Sequence, residues 1–103
     1  GPTGPRPDPP RAPVSGGIAG GVITRGDDGR PAPVADAVVT IGRDLSDRPL
    51  ARTRTNDRGL FRFEELRPGR YMLRAAKDGV GRGQATTIVR PRSISHVRIL
   101  LGR

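Results

Sequence analysis

The chain has 103 residues, nineteen basic against ten acidic side chains for a net charge of +9, three aromatic residues and no cysteine. That length permits one domain with a core near the smallest self-sufficient size, and the missing cysteine excludes a disulfide scaffold, thiolate metal sites and thiol catalysis while leaving the compartment open. No apolar run approaches the roughly 20 residues that cross a bilayer, so no membrane span is expected in this stretch.

Residues 1–15 hold Pro2, Pro5, Pro7, Pro9, Pro10 and Pro13, six of the eleven prolines. A segment so poor in backbone donors and apolar surface predicts a disordered, extended linker with polyproline II character. Its Gly1-Pro2 start reads as a protease scar on an excised fragment. A proline-rich ligand for an SH3-like domain is the alternative reading, and the absence of a continuing Gly-X-Y repeat excludes collagen.

From residue 16 to 103 the composition changes to short β-branched runs between turn residues, which predicts an all-β sandwich of seven antiparallel strands without helix. The first strand, residues 17–24, sets Ile18 and Val22 on one face, and Arg25 to Arg30 turns the chain. Ala37, Val39 and Ile41 give the second strand its period of two. A polar loop from Arg43 to Pro49 leads to the third, residues 50–55.

Asn56-Asp57-Arg58-Gly59 suits a reversal, so the third and fourth strands are expected to form a hairpin with Phe61 and Phe63 inward and Arg62 outward. Leu66-Arg67-Pro68-Gly69-Arg70-Tyr71 has the spacing of a tyrosine corner, in which the phenol bonds upstream backbone while its ring enters the core. The fifth strand then turns Tyr71, Leu73 and Ala75 inward. Residues 84–89 form the sixth strand, with an edge open to strand addition, and residues 94–101 the seventh, burying Val97, Ile99 and Leu101.

In that order the strands resemble the carboxypeptidase regulatory-like domain, a seven-stranded sandwich of transthyretin-like Greek-key topology. The carrying motifs are Gly20-Gly21-Val22-Ile23, Ala35 to Ile41, Thr55 to Phe63, Leu66 to Ala75, and the closing Val97-Arg98-Ile99-Leu100-Leu101. One departure is Gly79-Val80 where the family has Gly-Tyr. The resemblance implies a non-catalytic accessory module of a larger bacterial extracytoplasmic protein, in the periplasm, outer membrane or cell surface. Its role would be protein docking, adhesion or spacing, with another protein or the rest of its own parent chain as partner.

Catalytic readings fail on residue counts. A transthyretin-like hydroxyisourate hydrolase needs a Tyr-Arg-Gly-Ser terminus with histidines, and an intradiol dioxygenase needs two tyrosines and two histidines, against one Tyr71 and one His96. His96 is expected outward beside Arg98, out of service to Ser93 or Ser95. Asp27-Asp28-Gly29 and Asp44-Leu45-Ser46-Asp47 lack the spacing of a calcium loop and read as turn residues. The pair Gly16-Gly17 and Gly20-Gly21 lacks the Lys-Ser/Thr of a phosphate loop. An isopeptide crosslink has only Lys77 and Asn56 to use, and Asn56 is committed to a turn. No metal or cofactor is therefore expected.

The surface constellation with physical content is Arg52, Arg54, Arg62 and Arg74, which strand parity sends outward. In the expected hairpin Arg52 and Arg54 face Arg62, a juxtaposition costing a few tenths to about 1 kcal/mol unless an anion or Glu64 relieves it. These four are the candidate partner-binding residues, for an acidic protein or, in the alternative reading, for anionic polysaccharide or lipid headgroups. Nucleic acid is disfavoured, because stacking platforms are missing when the core claims all three aromatics. Eighteen of the nineteen basic residues are arginine, a ratio that a GC-rich genome also produces without selection for binding.

Overall fold

A computed structural model describes residues 15–43 and 48–102. All but Ser15 of the expected linker, and the Asp44 to Asp47 acidic loop, lie outside them.

The described chain is all strand and turn: β1 Gly16–Arg25, β2 Pro31–Pro33, β3 Val38–Gly42, β4 Ala51–Arg54, β5 Leu60–Leu66, β6 Gly69–Lys77, β7 Gly81–Val89 and β8 Ile94–Leu101. They make two sheets packed face to face. In the first, β1 is central, with β8 along one side and β5 followed by β2 along the other. The second runs β4-β3-β6-β7, antiparallel throughout.

The sandwich is the architecture expected from the alternating apolar pattern, and the inward residues are the expected ones. Ile18, Val22, Val39, Ile41, Phe61, Phe63, Tyr71, Leu73, Ala75, Ile99 and Leu101 are all buried, and the phenylalanine rings meet edge to face at 5.9 Å. Val97, expected to be buried with Ile99 and Leu101, is only half-buried against that core.

Several expectations are corrected. An eighth strand, β2, pairs Pro31, Ala32 and Pro33 with the end of β1, beyond the turn where Arg30 N–H bonds Asp28 Oδ1 at 2.9 Å. Proline tolerates this site because it is an edge. β8 runs parallel to β1, so the sandwich is not wholly antiparallel. β7 starts at Gly81, three residues earlier than expected.

The expected hairpin of the third and fourth strands does not form. The Asn56 turn has the foreseen chemistry, with Asn56 Oδ1 accepting from the N–H groups of Arg58 and Leu60 at 2.9 and 3.0 Å. The strands on either side of it, however, belong to different sheets: β4 pairs β3, and β5 pairs β1. Two anchors impose the crossing. Thr55 Oγ1, buried, donates to the Val34 carbonyl at 2.6 Å and accepts from Ala37 N–H at 2.8 Å, which ties the end of β4 to the start of β3. Gly59 then bonds Val22 N–H through its carbonyl at 2.8 Å, and its positive φ of 75° leaves a side chain no room beside Val22 and Val34.

The tyrosine corner is present. Tyr71 Oη donates to the Arg67 carbonyl at 2.6 Å, and Arg43 reaches the same phenol, its guanidinium carbon 5.0 Å from the ring centre. Tyr71→Phe should preserve the fold and cost about 1 kcal/mol, the net worth of a bond whose loss leaves a part-buried carbonyl unpaired. A urea titration reads this as a lower midpoint at unchanged slope.

Candidate functional site

Three of the four arginines singled out by parity share one surface. On the outer face of the β4-β3-β6-β7 sheet the register sets Arg52, Thr40, Arg74 and Gln84 in one row across the strands, and Arg54, Val38, Ala76 and Arg82 in the next. Strands lie about 4.8 Å apart, so the Arg52 and Arg74 backbones are separated by about 10 Å. All three arginines are exposed.

Arg62 is elsewhere. It projects from β5 on the outer face of the other sheet, in register with Ala19 and His96, and pairs with Glu64 at 3.4 Å. The expected opposition of Arg52 and Arg54 to Arg62 therefore does not exist, because it required the hairpin that the sheet crossing replaces. Glu64 pairs with Arg62, but with no opposing arginine there to relieve.

Parity reasoning missed two arginines on the same face as Arg52. Arg70 and Arg74 alternate outward with the buried Tyr71 and Leu73, so the tyrosine corner already carried the signal for Arg70. Arg82 escapes parity because the expected sixth strand starts at residue 84, whereas β7 starts at Gly81.

Charge on this face is poorly balanced. Asp36, held at a φ of 56°, meets Arg54 at 3.2 Å and Lys77 at 3.8 Å. Both contacts are exposed and contribute under about 1 kcal/mol. Among the described residues no carboxylate lies within 4.0 Å of Arg52, Arg74 or Arg82. Beside Arg74 and Arg82 runs an open groove of about 1100 Å³, bordered also by Val38, Thr40, Ala76 and Gln84 and by the β6–β7 turn with Lys77 and Asp78. It offers guanidinium donors beside a short apolar strip, a combination that recognises carboxylate or phosphate oxygens flanked by nonpolar groups.

The other motifs are absorbed by structure. Lys77 stands on Asp36, and Asn56 is consumed by its turn. Ser95 Oγ donates to the Ile88 carbonyl, while His96 is exposed. That bond and the close approach of Gly83 to Leu100 bring β8 beside β7, but among the described residues no ladder joins the two and β7 is the terminal strand of its sheet. Val80 is half-buried against the core where the resemblance lapsed. No helix long and apolar enough to cross a membrane occurs among the described residues.

A sequence model of the carboxypeptidase regulatory-like domain matches residues 18–101, nearly the whole sandwich. The chain belongs to that family. The regulatory-like domain also has solved structural neighbours, all below the identity at which more than the fold is shared. The minor pilin GBS52 of Streptococcus agalactiae superposes with a TM-score of 0.65 at 13% identity, over 87% of this chain and 46% of its own. A proposed carbohydrate-binding protein of Pseudomonas aeruginosa gives 0.64 at 15% identity, over 91% and 98%. A DUF3823 family protein of Parabacteroides merdae gives 0.63 at 16% identity, over 86% and 46%. The domain thus spans about half the length of the pilin and of the DUF3823 protein. Comparison with curated proteins finds no match.

Proposed function

We propose that this regulatory-like domain is a non-catalytic accessory module of a larger extracytoplasmic bacterial protein, docking on another protein or on a neighbouring part of its parent. The docking surface is the arginine face of the β4-β3-β6-β7 sheet. One observation carries the reading: Arg52 and Arg54 of β4 and Arg74 of β6 share one outward face whose groove Arg74 lines, and among the described residues Asp36 is the one acid in ion-pair contact with them. Family membership and a pilin neighbour support an accessory role.

A second reading, recognition of an anionic polysaccharide or lipid headgroup, draws on the same unbalanced charge and on the neighbour described as carbohydrate-binding. Absence of surface aromatics argues against stacking on neutral sugars, since all three rings are buried.

A heparin-like polyanion separates the two. Docking on a specific protein predicts weak heparin binding that a single arginine face does not explain. The polysaccharide reading predicts affinity falling steeply with salt and a salt slope lowered by about three in R52Q/R54Q/R74Q. Arg62→Gln, on the opposite sheet, serves as the control and should leave binding unchanged. Because these side chains are exposed, the triple variant should stay within about 0.5 kcal/mol of the parent per site, checked by thermal unfolding.

A further inference from the structure

The outer face of the β8-β1-β5 sheet carries an amphipathic trough that the arginine face does not involve. Its floor is Ala19, Gly21 and Ile23 of β1, low-lying between taller neighbours. Leu60 of β5 rises on one side and Leu100 of β8 continues the opposite wall, 49% and 52% exposed. Register fixes the order: Arg98, Gly21 and Leu60 form one row, and Leu100 and Ile23 adjoin two residues further along. The hollow measures about 600 Å³.

The rim of this apolar floor is cationic. Arg58, Arg98 and His96 border it, with Arg62 beside them. Among the described residues the one carboxylate within ion-pair distance of these arginines is Glu64, already on Arg62.

Three kinds of occupant fit an exposed apolar surface, and charge and shape choose among them. A second copy would bring the same arginines against their counterparts, which disfavours self-association. A bilayer is flat where this surface is concave, and interfacial anchoring draws on tryptophan and tyrosine, whereas the single tyrosine here is buried and tryptophan is absent. A protein ridge with apolar side chains flanked by carboxylates matches both the floor and the rim.

We infer that this trough is a second docking site, for a protein partner that presents an apolar ridge bordered by aspartate or glutamate. With the arginine face opposite, the domain has two binding surfaces directed away from each other.

The test is an NMR titration of the full chain with a short synthetic peptide alternating valine and glutamate, against its valine–lysine counterpart and phosphatidylglycerol vesicles. The expected result is perturbation of the Ala19, Gly21, Ile23 and Arg98 amides, with the acidic peptide bound at least about tenfold tighter than the basic one. Gly21→Val should weaken binding about tenfold by filling the floor. A Cβ there meets nothing closer than 3.6 Å, so the fold should persist. Leu60→Ser removes a wall instead and should weaken the peptide similarly, while R52Q/R54Q/R74Q should not. Equal affinity for both peptides, no perturbation at millimolar peptide, shifts confined to the arginine face, binding of vesicles but not peptide, or dimerisation through these same amides would each overturn the inference.

Discussion

Gly83→Ala is expected to destabilise the domain by about 3 kcal/mol or more, although it adds a single methyl group. A Cβ at this position would stand 2.1 Å from the Leu100 carbonyl oxygen and 3.0 Å from its carbon. Those are backbone atoms of β8, fixed by a ladder to β1 that runs from Gly17–Ile94 to Thr24–Leu101, so the obstacle cannot rotate away as a side chain would. Either β7 or β8 must shift. The shift breaks the paired bonds between Arg82 and Gly102, at 3.1 and 3.0 Å, and the link from Ser95 to Ile88. A urea titration should show a large drop in midpoint. Gly21→Ala, whose Cβ would make ordinary contacts at 3.6 Å with the Gly59 carbonyl and Leu60, should be neutral or slightly stabilising because glycine loses more conformational freedom than alanine in a strand.

Phe61→Ala is expected to cost about 3–5 kcal/mol, enough to leave a domain of this size mostly unfolded under mild denaturant. The ring is 5% exposed and stacks edge to face on Phe63 with planes 65° apart. Its tip fills the space that a side chain at Gly20 would occupy, at 2.7 Å from such a Cβ. Removing it empties the centre of the β1–β5 interface and forfeits an aromatic pair worth about 1 kcal/mol beyond its area. Loss of near-ultraviolet circular dichroism together with a collapsed urea midpoint checks this outcome; a modest decrease would mean that the core closes over the gap.

What the sequence discloses divides by range. Period-two patterns place Ile18, Val39, Phe61, Tyr71 and Leu73 inward because a strand's faces are set by neighbours along the chain. The tyrosine corner is legible for the same reason, since donor and acceptor are four residues apart. The Asn56 turn is equally local, yet its consequence is not. A reversal with the chemistry of a hairpin turn joins strands of one sheet or of two, and the choice rests on Thr55 binding Val34 and Gly59 binding Val22, contacts made across 21 and 37 positions.

That single nonlocal choice rearranges the candidate site. Outward parity holds for Arg52, Arg54, Arg62 and Arg74, but parity says which side of a strand a residue takes and never which sheet the strand joins. Arg62 parts from the other three on that account. β2 escapes the pattern because its two prolines argue against a strand and only its edge position admits them. The parallel partnership of β1 and β8 lies between opposite ends of the sandwich sequence, beyond reach of any local periodicity.

That partnership also decides how the module meets tension. Gly17 sits opposite Ile94 and Thr24 opposite Leu101, so the first strand begins and the last strand finishes about 23 Å apart, at opposite tips of adjacent ribbons. Stretching the polypeptide from both sides slides these two ribbons lengthwise past each other, and every rung between them takes up load at once instead of opening in succession. The joint that closes the fold is thereby the one best oriented to resist being pulled apart.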